Sequence, residues 1–488
     1  MNKIYKINEN DNVAVALTDI KKGDVIGDLT AKSDIPFGHK ILLSDVKQSD
    51  NIIKYGYPIG HAKCDISAGD YVHEHNLKTN LKGKIQGIYT NGNVYAPKSD
   101  GKTFLGYKRK DGEVGIRNEI WIIPTVGCVN KTAMALEKIG ADIIGDGCDG
   151  IHAYTHPYGC SQMDDDQENT RKLLANIVRH PNAGGVLVLS LGCENTNINV
   201  FKKYLGNIDE KRIKFLTTQD VGDEIAAGKE LIREIYDEIK NDRKGVYPIS
   251  KLTIGYKCGG SDAFSGITAN RLCGKVNKIL TDSGATTILT EVPEMFGAED
   301  ILFKRCENKD VLNKCVAMLN NFRQYFYDNG QECSENPSPG NHDGGITTLE
   351  EKSLGCVQKG GDSIITDILE YGDRAEKSGL NLLTGPGNDI VSVTNLTAAG
   401  AQIILFTTGR GSPLGAPVPT IKISSNTSLC KRKPGWIDFD AGRMLDGNSD
   451  ELTDELEKLI ISVANGQKTK NEQNGYREIS IFKNGVIM

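Results

Sequence analysis

The chain has 488 residues, too many for one ordinary domain and enough for about two to four, each with its own core. Charged residues make up 25% and the formal net charge is −6, without a basic stripe or a dense Lys/Arg run, which argues against nucleic acid or a membrane surface as partner. No stretch reaches the roughly 18 apolar residues of a membrane span, and the first residues lack a signal-peptide core. Twelve cysteines at irregular spacing, with no C-x-x-C pair, read as thiols of a reducing cytoplasm rather than a disulfide framework.

Residues 1–80 read as a small β-rich module. Asn12–Leu17, Ile41–Leu43 and Asp70–His73 are short strand candidates separated by Lys-Gly, Ser-Asp and Ala-Gly-Asp turns. The turn ending in Gly38-His39-Lys40 delivers an imidazole beside an ammonium. In Val72-His73-Glu74-His75-Asn76, strand alternation predicts both histidines on one face, where they would suit a divalent metal or acid–base work. A polar, solvent-facing edge strand explains the same pattern. Residues 81–103 are rich in Lys, Asn and Gly and are expected to be a linker.

An α/β unit is expected over 104–248. The apolar runs Glu119–Pro124 and Gly184–Leu191 are strands covered on both faces, ending near Cys128 and at Cys193-Glu194. Between them lie Tyr158-Gly-Cys160-Ser-Gln162 and an acidic run, Asp164–Asp166, that fits a helix N-terminus. A second α/β unit is expected over 249–488. Its strand Lys251–Tyr256 runs into Cys258-Gly259-Gly260-Ser261-Asp262 and then a helical pattern of Leu272, Val276 and Leu280. A glycine turn between strand and helix points N–H groups into a cleft and suits an anion, although an ordinary loop with a Ser or Asp cap reads the same way. Further strands end in Glu291 and in Thr408-Gly409-Arg410.

Alternating strands and helices indicate an α/β fold, in which sites gather at the carboxyl ends of strands. Here those ends carry Cys128, Cys193-Glu194, Cys258 to Asp262, Glu291 and Arg410, and their convergence favours a site over ordinary loops. No G-x-S-x-G elbow or Walker loop is present, and no G-x-G-x-x-G follows the first strand. Carboxylates beside Lys352 and Arg410 suit abstraction of a proton next to a carboxylate and expulsion of a β-hydroxyl.

The ordered runs D-N-V-A-V-A (from Asp11), G-H-K (Gly38), K-Y-G-x-P-I-G (Lys54), P-T-V-G-C-V-N (Pro124), Y-G-C-S-Q (Tyr158), L-G-C-E-N (Leu191), C-G-G-S-D (Cys258), T-E-V-P-E-M-F-G-A-E (Thr290), N-P-S-P-G-N (Asn336), E-K-S-L-G-C (Glu351) and T-G-R-G (Thr408) carry a resemblance. Over essentially its whole length the chain resembles the altronate and galactarate dehydratase family, and V-H-E-H-N and G-P-G-N-D (Gly385 to Asp389) are similar to its altronate branch. The resemblance implies an N-terminal β-clip (SAF) module followed by two Rossmann-like α/β domains. It also implies dehydration of D-altronate to 2-dehydro-3-deoxy-D-gluconate in hexuronate catabolism, with Fe²⁺ or Mn²⁺.

Within that frame His39, His73, His75, Glu194 and Glu291 are the expected metal ligands, with His39, Asp262, Lys352 and Glu194 as catalytic groups. Arg410, Ser261, Gly259, Gly260, Asn341 and Thr408 are expected to bind substrate, Lys352 sharing the substrate carboxylate with Arg410. A competing arrangement uses Cys128, Cys160, Cys193 and Cys258 to hold an iron–sulfur cluster whose open iron takes the hydroxyl. Another aldonic or aldaric acid such as galactarate, or a non-catalytic sugar-acid binder, is the alternative function. Self-association into a homo-oligomer stays open.

Overall fold

The computed structural model describes residues 3–81, 83–89 and 92–488; Met1 and Asn2 of the expected first module, and residues 82, 90 and 91 of the expected linker, lie outside the described residues. The N-terminal module is built from short strands: β1 (Ile4–Tyr5), β2 (Val13–Ala16), β3 (Lys40–Leu42), β4 (Asn51–Lys54), β5 (Tyr57–Ala62), β6 (Tyr71–Val72) and β7 (Leu77–Lys78). They form an antiparallel sheet of order β1-β2-β3-β6 and a second of order β4-β5-β7. Such short strands need a partner surface, and Val13, Leu42, Ile52 and Ile59 supply one by joining the core of the C-terminal unit.

The module is locked down by charge as well as by apolar contact. Lys40 Nζ and Lys54 Nζ both reach Glu351, at 2.9 Å and 2.7 Å, and all three side chains are fully buried. Burial alone would raise the Glu351 carboxyl, but the two ammoniums overcome it and hold it down at about 2. Burial pulls Lys40 down to about 8. Beyond the module, the described residues of 81–103 are pinned rather than free to swing. Ile85 N–H donates to Asn320 Oδ1, and Tyr95 Oη donates to the Thr281 carbonyl.

The middle unit is a parallel sheet of order β9-β8-β10-β11, from β8 (Glu119–Pro124), β9 (Ile151–Ala153), β10 (Ala183–Ser190) and β11 (Ile213–Thr217). Helices α1 (Asn130–Gly140), α2 (Asp164–Val178), α3 (Ile198–Leu205) and α4 (Glu224–Ile239) cover it. All residues of β8 and β10 are buried, which is why these strands read as unbroken apolar runs.

The C-terminal unit is a seven-stranded parallel sheet of order β14-β15-β13-β12-β16-β17-β18. Its strands are β12 (Thr253–Cys258), β13 (Thr286–Leu289), β14 (Ile365–Leu369), β15 (Gly379–Leu383), β16 (Ile403–Thr408), β17 (Thr420–Ser424) and β18 (Phe439–Asp440). Trp121 and Val186 of the middle unit share one apolar core with Val393, Leu396 and Phe406 of the C-terminal unit. Because both sheets are parallel, each collects its loops at one carboxyl edge.

Candidate active site

Asp262 lies at the centre of the C-terminal edge. The loop after β12 does not pass straight into a helix; the next helix, α5 (Ala269–Asp282), starts well after it, so the glycine turn is not a helix N-terminus. Two amides of this turn are already spent, Gly259 N–H on the Thr407 carbonyl and Asp262 N–H on Ser265 Oγ. The loop therefore positions Asp262 instead of cradling an anion. Oδ1 of Asp262 accepts from Ser265 N–H, Ser265 Oγ and Ser425 Oγ at 2.8–2.9 Å, while Oδ2 accepts only from Asn426 Nδ2 at 3.0 Å. Burial pushes its pKa up despite those donors. One carboxylate oxygen is thus saturated and the other keeps a free lone pair.

That second oxygen belongs to a residue lining an open cleft of about 350 Å³, bounded by Phe37, Gly38, Phe264, Asp343, Gly344, Gly409, Arg410, Asn426, Ser428 and Arg432. Phe37 of the N-terminal module stacks on Phe264 at 4.5 Å and closes one side. A Cβ on Gly409 would stand 2.4 Å from Asp262 Cγ, so only glycine admits this approach. Gly260 contributes its carbonyl, which accepts from Gly409 N–H and Arg410 N–H at 3.0 Å each. Exposed Arg410 donates one weak bond, Nη1 to the Gly340 carbonyl at 3.4 Å, leaving most of its fork for a carboxylate in the cleft.

The other expected binding groups are engaged inside the protein. Thr408 Oγ1 is buried and accepts from Gly411 N–H, and Asn341 Nδ2 donates to the Ser261 carbonyl. Ser261 Oγ sits 2.5 Å from Cys258 Sγ. Lys352 Nζ, expected on the substrate carboxylate, instead contacts Glu294 (3.0 Å), Asn336 Oδ1 (2.9 Å) and Asn341 Oδ1 (3.2 Å). A hydrogen bond from Cys356 draws the Cys258 thiol down to about 5, with Lys359 adding to it, and Cys356 Sγ also lies 3.0 Å from Glu294. Ser261, Asp262, Lys352 and Cys356 line one internal cavity of about 10 Å³.

The histidines behave differently from strand-face neighbours. His73 to Asn76 form the turn after β6; His73 is buried while His75 is exposed, so alternation fails because the strand ends at Val72. His39 and His73 stack at 5.1 Å. His39 Nε2 faces the Asp343 carbonyl at 3.3 Å while Nδ1 meets Tyr71 Oη at 2.7 Å, and burial depresses its pKa. His73 Nε2 faces the His342 carbonyl at 3.1 Å, and burial carries it down to about 4. Both contacts require the proton on Nε2, which leaves His73 Nδ1 as a lone pair.

Ligand atoms of His73, Glu74 and His342 all lie within 4.8 Å of one another. This two-histidine, one-carboxylate set fits a divalent ion of the Fe²⁺ or Mn²⁺ type with positions left open. The other expected ligands do not join it. Glu291 is buried against Lys257 and Lys359 and also accepts from Cys258 N–H, a setting that two ammoniums make hostile to a cation. Glu194 belongs to the middle unit, where Thr125 Oγ1, Ser190 Oγ, Leu191 N–H and Gly192 N–H all donate to it. Burial raises its pKa, but these donors outweigh it and the net shift is downward. Sequence reasoning missed Glu74 and His342 as partners because the turn carrying Glu74 and the loop carrying His342 are far apart in the chain. Cys258, buried beside Cys356, likewise stands apart from the exposed Cys128, Cys160 and Cys193.

A β-rich module docked on a parallel-sheet α/β unit, with carboxylate, guanidinium and paired imidazoles at their junction, defines an α/β enzyme acting on small anionic substrates. Profiles described as "Altronate/galactarate dehydratase SAF domain", "D-galactarate dehydratase/Altronate hydrolase, second domain" and "D-galactarate/Altronate dehydratase, C-terminal" match residues 2–80, 106–240 and 249–487. The chain is 48% identical to an altronate dehydratase of Bacillus subtilis over 100% of both chains, and 47% identical to one of Escherichia coli over 99% of both. It is 31% identical to a galactarate dehydratase (L-threo-forming) of Escherichia coli, over 98% of this chain and 96% of that one. The chain belongs to the altronate/galactarate dehydratase family.

Proposed function

We propose that the protein is a hydro-lyase that dehydrates D-altronate to 2-dehydro-3-deoxy-D-gluconate, working in a reducing cytoplasm. The observation that carries the reading is the cleft shared by the N-terminal module and the C-terminal edge, lined by both Asp262, one of whose oxygens keeps a free lone pair, and Arg410, whose fork makes a single weak bond. Arg410 holds the substrate carboxylate, with Arg432 adding positive charge on the same wall. Asp262 takes the proton from the carbon next to that carboxylate. The hydroxyl on the following carbon leaves as water with a proton taken from solvent, Asp262 returns its own proton to solvent, and the resulting enol rearranges to the 2-keto product.

A divalent metal, Fe²⁺ or Mn²⁺, held by His73, Glu74 and His342 would supply Lewis acidity for the carboxylate and the departing hydroxyl. His39, whose Nε2–H is fixed on Asp343 and whose Nδ1 accepts from Tyr71, orients the adjoining wall and keeps the imidazole pair neutral. The test is incubation with D-altronate and with galactarate, each with and without Fe²⁺ or Mn²⁺, followed by assay for a 2-keto-3-deoxy acid. Product from altronate is expected. No product from any sugar acid would overturn the enzyme reading, and product from galactarate alone would move the substrate assignment.

A further inference from the structure

Three cysteines of the middle unit are exposed, and all three occupy equivalent places. Cys128 follows β8, Cys160 follows β9 and Cys193 follows β10, on neighbouring strands of one parallel sheet. Each is preceded by a glycine that packs closely against a neighbouring segment. A Cβ on Gly159 would stand 1.9 Å from the Thr125 carbonyl oxygen, one on Gly192 2.7 Å from Gln219 Oε1, and one on Gly127 3.0 Å from the His156 carbonyl oxygen. Hydrogen bonds stitch the loops together: Gly127 N–H to the Tyr158 carbonyl at 2.9 Å, Thr196 N–H to the Gly159 carbonyl at 3.2 Å, and Ser161 N–H to Asn195 Oδ1 at 3.0 Å. Ser161, next to Cys160, is held at φ 62°, a conformation that a non-glycine residue adopts only under constraint.

Glu194 ties the first and third of these loops together. Its carboxylate draws Thr125 from the first loop and Ser190, Leu191 and Gly192 from the third onto one point. This is the use the structure gives to a residue that proton transfer in the cleft does not need. The same loops carry buried polar atoms without a partner, Gln162 Nε2 and Asn130 Oδ1.

We infer that Cys128, Cys160 and Cys193 form a three-thiolate site for a [4Fe–4S] cluster, with one iron left without a protein ligand. Each thiol sits on its own loop after a neighbouring strand, which suits a cluster, whose irons each take a different thiolate. A single ion pulls its thiolates close together, whereas each thiolate of a cubane binds a different iron and stands apart from the others. Loading transfers the three thiol protons to solvent and joins ferrous and ferric iron in equal amounts with sulfide, so no external oxidant is required. The open iron accepts an oxygen donor such as water, a hydroxyl or a carboxylate.

The full-length protein, reduced and incubated under argon with ferrous iron, ferric iron and sulfide, should after desalting retain about four iron and four sulfide per chain, with broad visible absorbance. Cys128→Ser, Cys160→Ser and Cys193→Ser should each lose at least half of the bound sulfide at an unchanged melting temperature. Cys64→Ser, which alters an exposed thiol of the N-terminal module, should retain it all. Iron without sulfide, a preference for zinc, or a triple variant that loads like the parent would each overturn the inference. The readout is independent of turnover, so a failed altronate assay leaves it standing.

Discussion

Asp262 and Arg410 line the same cleft with opposite roles, and single substitutions separate them. Asp262→Asn keeps the shape but replaces the free oxygen lone pair with an amide, and turnover with D-altronate should fall by about 10²–10⁴-fold while the melting temperature stays close to the parent's. A loss below tenfold in steady-state kinetics would remove Asp262 from proton transfer. Arg410→Lys keeps the charge and loses the fork, so KM should rise by about tenfold or more while kcat changes less. His73→Ala should lower bound Fe²⁺ or Mn²⁺, and His75→Ala should not, because His75 is exposed and outside the group formed by His73, Glu74 and His342. Metal analysis after dialysis, with equal content in both variants, would count against that site.

Between elements, the decisive contact is the one Lys40 and Lys54 make with Glu351. Glu351→Gln leaves two buried ammoniums without their counter-charge, and removing one partner of a buried pair costs about 3–5 kcal/mol. Urea unfolding should report a loss of that size, together with faster proteolysis between residues 81 and 103 as the N-terminal module lets go. Unchanged unfolding and proteolysis would mean that apolar packing alone holds the module. The G-H-K run reads in sequence as site chemistry for both polar residues. Only His39 stands near the cleft wall, while Lys40 is an anchor whose partner lies 311 positions away. Local sequence carries no trace of such a pairing. Helices and buried strands were more legible, since a fully covered parallel strand such as β10 must be apolar on both faces.

Across the whole molecule, strand ends announce a site without announcing which sheet they belong to. Glu194 and Glu291 both follow apolar strands, yet one serves the middle unit and the other the C-terminal unit. That is why their grouping as ligands of one ion fails although the α/β reading holds. Two fully buried histidines, His156 and His180, contribute to the response to acid. His156 and His180 each accept a backbone N–H on Nδ1 and have Nε2 against a carbonyl, so protonation must break a bond. Burial holds them at about 4 and about 3 in the folded chain, below the ordinary histidine value near 6.5. Between about pH 6.5 and pH 4 the unfolded chain binds their protons and the folded chain does not, so stability rises with pH across that window. Each such histidine should subtract about 1.4 kcal/mol per pH unit on acidification, which urea midpoints at pH 7, 6 and 5 would register. A midpoint that is flat or rises toward pH 5 would contradict it.

The central claim is that one cleft, walled by two modules, converts altronate to a 2-keto-3-deoxy acid. The most direct measurement is the proton balance at the carbon beside the carboxylate, with D-altronate deuterated at C2 as substrate. Product formation slowed several-fold relative to the protio acid in the parent enzyme, with both rates collapsing in Asp262→Asn, is the predicted result. Full-rate dehydration by Asp262→Asn, or product formed from the deuterated and protio acids at equal rates in a single turnover of the parent enzyme, would contradict it.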